Sequence, residues 1–294
     1  MRRQIGWVAA ACVWAVWAGG CNGNKSYMTE ERLDKGLVVI LPGIEGVSGL
    51  NQDIRAGLVN AGVDRAIAIW SWGRPIPIIG LLLNQVDFLG NRLAAAGIAD
   101  RIRKYMRKYP HRPVHVIGHS GGGGVAVFVA EGLDEEHKVN GVILLSASIS
   151  SAYNLTKALR HCRRPHGGIV NYFSKNDSGL LGLGTIVLGT VDGTHGLAAG
   201  LVGFDRPREN AEEEKKEAYM YLYQMDVGSY MFSKDLGSHA GTVQIQFVMN
   251  FVAPWVLSDW PPEDWDMYTG KDGELPRTYT LRDDAQPPKR VRVE

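Results

Sequence analysis

Short runs of consecutive apolar residues alternate along the chain with longer segments in which apolar residues recur at helical spacing. Segment 89–109 places apolar side chains on one face and Arg or Lys on the other, which predicts a surface helix. The apolar runs predict buried strands at Leu37–Leu41, Ala66–Trp70, Val114–Ile117, Val139–Leu145 and Gly168–Ser174. Because these strands are apolar throughout and separated by helices, they predict a mostly parallel sheet covered by helices on both faces.

One of these strands ends in an unusual sequence. The run at Val114–Ile117 stops at Gly118-His119-Ser120-Gly121-Gly122, and an apolar helical pattern follows at once. In a Gly-x-Ser-x-Gly sequence between strand and helix, the glycines leave room for a very tight turn that pushes the serine hydroxyl out of the sheet. The free N–H groups at the start of the helix then face that hydroxyl. The pattern favours a nucleophile at Ser120 over a glycine-rich turn that contains a serine by chance.

Four features together resemble the α/β-hydrolase superfamily, in particular its lipase-like and esterase-like serine hydrolases. They are Pro42-Gly43-Ile44-Glu45-Gly46 after the first strand, the sequence around Ser120, Ser174-Lys-Asn-Asp177 after a later strand, and Ser238-His239 before a helix. The resemblance covers about residues 36–258 and implies an α/β-hydrolase fold. Few residues separate the strand ending at Leu145 from the one beginning at Gly168, so no large cap domain is expected.

The resemblance also implies a catalytic triad in the order nucleophile, acid, histidine. On this chain that order assigns Ser120 as nucleophile, Asp177 as acid and His239 as base. His239 would deprotonate Ser120, and Asp177 would hold the imidazole in the correct tautomer. His195 is the alternative base and Asp192 the alternative acid.

The oxyanion hole is expected to consist of two backbone N–H groups, those of Gly121 and Ile44. Gly121 directly follows the nucleophile, and Ile44 lies in the turn after the first strand. Glu45 is an unusual residue to find beside a developing negative charge. We expect its side chain to point outward or to bind a polar part of a ligand.

The N-terminus has the pattern of a targeting segment. Arg2 and Arg3 precede the uncharged run Ile5–Ala18. At about 1.5 Å per residue, such a helix is too short for a hydrocarbon core of about 30 Å, so residues 1–20 are interpreted as a signal peptide. Ala18-Gly19-Gly20-Cys21 resembles the lipobox of bacterial lipoproteins, although Ala18 stands where leucine is usual. We therefore predict lipidation at Cys21 and an exported protein anchored to a membrane of the bacterial envelope; a plain secretory cleavage site is the alternative.

The remaining segments complete the predicted organisation: a polar tether at 21–35, the hydrolase domain at 36–258 and a polar tail at 259–294. The net charge of +1 argues against a nucleic-acid surface. Of the three cysteines, Cys12 lies in the predicted signal peptide and Cys21 is the predicted lipidation site. Cys162 is then left without a partner, so no internal disulfide is expected. The arginines around His161, Cys162 and His166 would repel a cation, so no metal site is expected there.

Together these features predict a serine hydrolase that cleaves a carboxylic ester or a related acyl bond through an acyl-enzyme on Ser120. The substrate would be a small-molecule or lipid-like ester, and no cofactor is needed. Two other classes stay open: a catalytically silent hydrolase fold that serves as a binding lipoprotein, and a serine peptidase or acyltransferase that uses the same triad.

Overall fold

A computed structural model of the 294-residue chain describes residues 22–73, 88–175, 190–194, 196–234, 239–262, 268–270, 277–282 and 284–285. Its strands are β1 (Leu37–Leu41), β2 (Ala66–Ile69), β3 (Val114–His119), β4 (Gly141–Leu145), β5 (Gly168–Phe173), β6 (Leu222–Asp226), β7 (Tyr268–Gly270) and β8 (Arg277–Leu281). Its α-helices are α1 (Glu30–Leu33), α2 (Gly49–Asn60), α3 (Phe88–Lys108), α4 (Gly121–Glu131), α5 (Thr156–Arg160), α6 (Ala199–Val202), α7 (Glu213–Tyr219), α8 (Gly228–Ser233), α9 (Ile245–Phe247) and α10 (Ala253–Leu257). Asn22–Tyr27 and Gly241–Val243 are 3-10 helices, and Val248–Val252 is a π-helix between α9 and α10.

The strands form one sheet in the order β2-β1-β3-β4-β5-β6-β8-β7. β7 is antiparallel to β8, and every other neighbouring pair is parallel. The predicted mostly parallel sheet is therefore confirmed.

The strand order reverses at β1. The chain first moves from β1 outward to β2, then crosses back to β3 on the other side of β1 and continues from there towards β6. Ile40 and Leu41 of β1 lie beside Ile117 and Gly118 of β3 at the point of reversal. In open α/β sheets, the crevice outside the carboxyl ends of the strands at such a point is the usual place for a ligand.

Helices cover both faces of the sheet, and alternate residues of each strand enter opposite cores. In β1, Val39 packs into the core beneath α3 and α4, whereas Ile40 packs into the core beneath α2 and the π-helix. All of the first five strands occur where the apolar runs predict them, with ends that differ by up to two residues. β6 was not predicted, because its sequence Leu-Tyr-Gln-Met-Asp contains a polar residue, Gln224, that is buried and bonded to the backbone of Phe204.

The two flanking segments also contribute to the fold. In the predicted tether, Glu30 and Asp34 form ion pairs with Lys108 (3.1 Å) and Arg112 (3.0 Å). The segment expected to be a polar tail instead supplies β7 and β8, and it does so because Leu281 alternates with threonines and is fully buried. None of the helices within the described ranges has the length and apolar character needed to cross a bilayer. Residues 1–20 and Cys21 lie outside those ranges.

Candidate active site

Ser120 occupies the turn between β3 and α4 at the carboxyl end of the sheet. Its backbone has φ 53° and ψ −124°, which is rare for a residue with a side chain. The strain is held by the surroundings: the Ser120 N–H donates to Leu145 O (3.0 Å), and Ser120 O accepts from Gly123 N and Ser148 N (2.9 Å each). A serine held this way between strand and helix has the geometry of a nucleophile elbow.

The glycines around Ser120 are required by close approach of the backbone. A Cβ on Gly118 would lie 2.3 Å from Gly122 O, and a Cβ on Gly122 would lie 2.2 Å from Pro42 O. Such distances are impossible without moving the main chain. The Gly-x-Ser-x-Gly spacing in the sequence therefore has a direct steric cause.

The turn after β1 lies against the start of α4. The position that a Cβ on Gly121 would occupy is 2.8 Å from Ile44 Cγ2 and 3.2 Å from a carbon of the Trp72 ring. The Trp72 indole N–H donates to Pro42 O at 2.7 Å, which fixes the turn. Ile44 and Gly121, the residues expected to supply the oxyanion donors, are thus neighbours. A tryptophan after a strand has no local sequence signature of this role.

His239 lies at the same end of the sheet as Ser120. The His119 Nε2–H donates to His239 O at 3.4 Å, and the two imidazole rings are 5.0 Å apart between centroids. His119 precedes Ser120 directly, so these contacts bring His239 next to the strained turn.

A second strained serine anchors the segment that contains His239. Ser146 follows β4, has φ 48° and is 1% exposed. Its hydroxyl lies 3.2 Å from that of Thr242, three residues beyond His239. This bond joins the carboxyl end of β4 to the His239 segment. This bond has no local signature in the sequence, because Ser146 lies in the serine-rich run Ser146-Ala-Ser-Ile-Ser150.

His119 is 1% exposed, and burial together with the neighbouring His239 lowers its pKa to about 3. A neutral His119 donates to a carbonyl without adding positive charge beside the predicted base.

Of the three residues in the predicted triad, only the acid falls outside the described part of the chain. Asp177 lies outside the described residues, as does the alternative base His195. The Asp192 carboxylate accepts hydrogen bonds from Ser150 N (3.0 Å), in the loop after β4, and from Thr194 Oγ1 (3.2 Å) in its own loop. Asp226 ends β6, and its carboxylate accepts a hydrogen bond from Gly228 N at 3.1 Å at the start of α8.

The segment around Cys162 contains two histidines, and its arginines predict that no metal binds there. His161 donates from Nδ1 to Ala130 O at 2.9 Å, and burial raises the pKa of the Cys162 thiol to about 12. Across the described ranges, no group of three or more His, Cys, Asp or Glu side chains is placed to hold a metal ion.

No family model matches the sequence, and no curated protein matches it. Several solved structures are similar in fold. A lipase B of Aspergillus fumigatus is 14% identical, with a TM-score of 0.44 over 81% of this chain and 55% of the other. A predicted CIB-like hydrolase of Thermoplasma acidophilum is 13% identical, with a TM-score of 0.40 over 77% and 89%. A Trichoderma reesei cutinase in complex with a phosphonate inhibitor is 15% identical, with a TM-score of 0.35 over 75% and 91%.

At such low identities and TM-scores, these likenesses say nothing about substrate or activity. The chain's own geometry is the stronger observation: a parallel sheet covered on both faces, a reversal of strand order at β1, and a strained serine at that reversal. The predicted α/β-hydrolase fold is confirmed.

Proposed function

We propose that this protein is a serine hydrolase that cleaves a carboxylic ester or a related acyl bond through a Ser120 acyl-enzyme. The observation that supports it most strongly is the backbone of Ser120, a non-glycine residue at φ 53° where the strand order reverses. Strain of this kind persists in proteins mainly where a function depends on it. A binding protein of the same fold has no need for a strained serine.

In the proposed reaction, His239 removes the proton of the Ser120 hydroxyl as its oxygen attacks the substrate carbonyl carbon. The N–H groups of Gly121 and Ile44 stabilise the oxyanion of the tetrahedral intermediate. The intermediate collapses when the C–O bond to the alcohol breaks, and the His239 imidazolium gives its proton to the leaving oxygen. His239 then deprotonates a water that attacks the acyl-enzyme, which releases the carboxylic acid and restores Ser120. Asp177 is proposed to orient the imidazole throughout.

The test is labelling of the purified chain with a fluorophosphonate probe, followed by hydrolysis of short p-nitrophenyl esters. Ser120→Ala is expected to abolish labelling, and both Ser120→Ala and His239→Ala are expected to lower kcat/KM by about 10⁴-fold or more. Ser151→Ala is a matched control, because Ser151 is a half-buried serine in a turn after β4. If the folded parent is not labelled, or if Ser120→Ala is still labelled, the proposal fails.

We further propose that the chain is exported and anchored to a bacterial envelope membrane through a lipid on Cys21, and that its substrates are lipid-like or extracellular esters. The support is the sequence alone: two arginines, an uncharged apolar run, and small residues before a cysteine. Expression of the full chain followed by membrane fractionation tests it. The parent is expected in the membrane fraction and Cys21→Ser in the soluble fraction; equal distribution of both would contradict the lipid anchor.

A further inference from the structure

The carboxylate of Glu45 is folded back over the turn that follows β1. A Cβ on Gly43 would lie 2.2 Å from Glu45 Oε2 and 3.1 Å from Oε1, so the carboxylate occupies the space above the Gly43 backbone. Ser48 Oγ donates to Glu45 Oε1 at 3.4 Å. The side chain is solvent-exposed but held in place rather than extended away from the protein.

The same turn borders the predicted oxyanion hole. Ile44, the residue between Gly43 and Glu45, contacts Gly121 at the start of α4. The negative charge of Glu45 is therefore one residue away from an expected oxyanion donor. A fixed anion at such a position opposes the charge that develops on the substrate oxygen, because like charges repel and the site is partly shielded from water.

No side chain of the protein offsets this charge within the described ranges. No lysine, arginine or histidine nitrogen described there lies within ion-pair distance of the Glu45 carboxylate. An exposed anion held at the edge of a reaction site attracts cations. A substrate that itself bears a positive charge would pair with Glu45 and remove the repulsion at the same time.

We infer that Glu45 is a specificity-determining residue that selects ester substrates with a cationic group near the scissile bond, such as a quaternary ammonium or a primary ammonium. This inference rests on the proposed ester-hydrolase function of Ser120. It gives a role to an acidic residue at a position where the reaction alone would disfavour one.

The experiment compares two esters with the same acyl group: a choline ester, and the 3,3-dimethylbutyl ester, which has the same shape without the charge. kcat/KM is measured for the parent and for Glu45→Gln at low salt. In Glu45→Gln we expect kcat/KM to fall about five-fold for the choline ester and to rise about two-fold for the neutral ester, as one ion pair near a protein surface allows. The preference for the choline ester in the parent should also weaken at high salt.

Glu136→Gln is the matched control for the change in net charge. Glu136 is exposed in the loop after α4, at the end of that helix opposite Ser120. It is expected to leave the ratio of the two kcat/KM values unchanged. If Glu45→Gln changes both esters in the same direction, or leaves the ratio unchanged, the inference is overturned while neutral-ester hydrolysis still supports the proposed function. If neither ester is hydrolysed and the probe does not label Ser120, the proposed function itself fails.

Discussion

Two histidines on β3 show how differently the two ends of the sheet are built. His115 lies near the amino end of the strand and His119 at its carboxyl end, four residues apart and therefore on the same face. They are 3% and 1% exposed, burial lowers the pKa of each to about 3, and neither Nδ1 has a hydrogen-bond partner among the described residues. Both imidazoles are therefore buried and uncharged at neutral pH.

Their neighbours are not alike. His115 stacks on Trp260, whose indole N–H donates to Trp255 O at 2.7 Å and whose ring packs against the Trp255 ring at 4.7 Å between centroids. His119 instead contacts His239, which belongs to a turn. The amino end is closed by large aromatic side chains linked to one another. At the carboxyl end, glycines and strained serines bring backbone segments together around Ser120, an arrangement that favours chemistry at the expense of stability.

The largest expected effect comes from adding one methyl group at each end. Gly122→Ala at the carboxyl end would place a Cβ 2.2 Å from Pro42 O, whereas Gly141→Ala at the amino end would place it 2.1 Å from a carbon of the Trp260 ring. Because the backbone cannot move as a side chain can, we expect Gly122→Ala to lower the free energy of unfolding by about 3 kcal/mol and Gly141→Ala by about 1 to 2 kcal/mol. Urea unfolding measures both.

The same variants separate stability from chemistry. The folded fraction of Gly141→Ala is expected to react with a fluorophosphonate at close to the parent rate, and that of Gly122→Ala to react slowly or not at all. Gly97→Ala is the control: it lies on α3 with open space around a Cβ, and alanine should stabilise the helix by about 0.5 to 1 kcal/mol. Equal loss of labelling in Gly122→Ala and Gly141→Ala would contradict the division of roles between the two ends.

A gradual effect, spread over several pH units, is expected from pH. The pKa of both histidines is lowered on folding from 6.5 to about 3, so below pH 6.5 the unfolded chain binds protons that the folded chain does not. The free energy of unfolding should therefore fall as pH drops from 6.5 towards 3, with each histidine contributing a slope of up to about 1.4 kcal/mol per pH unit. Urea unfolding at pH 7, 6, 5 and 4 measures the slope.

Substitutions at the two histidines sharpen the comparison. His115→Gln and His119→Gln should each reduce that slope by about 1.4 kcal/mol per pH unit, because glutamine does not titrate. Only His119→Gln is expected to slow fluorophosphonate labelling at pH 7.5, since His119 bonds to the backbone of His239. A slope that is unchanged in both variants would show that other groups govern the acid sensitivity.

Structural features that depend only on short stretches of chain, such as buried strands and tight turns, were predictable from the sequence. The apolar runs of β1 to β5 and the glycines around Ser120 act locally, because burial of consecutive apolar residues and the steric needs of a tight turn involve neighbours in sequence. The helical pattern over 89–109 was likewise recovered as α3, Phe88–Lys108. β6 was missed because Gln224 can be buried only when its side-chain amide is hydrogen-bonded to the backbone of Phe204. β8 was missed because it depends on a parallel partner from a distant part of the chain.

The sequence by itself determined the sheet's apolar strands, the helices that cover them and the strained turn at Ser120. Only the tertiary structure placed Ser120 where the strand order reverses, brought His239 to His119 across 120 positions of chain, and joined Ser146 to Thr242. It also folded the Glu45 carboxylate over Gly43. The reason is physical: a local pattern fixes the conformation and the buried face of a segment, whereas the neighbours of a side chain at the end of a strand depend on which strands pair and which loops cross above them.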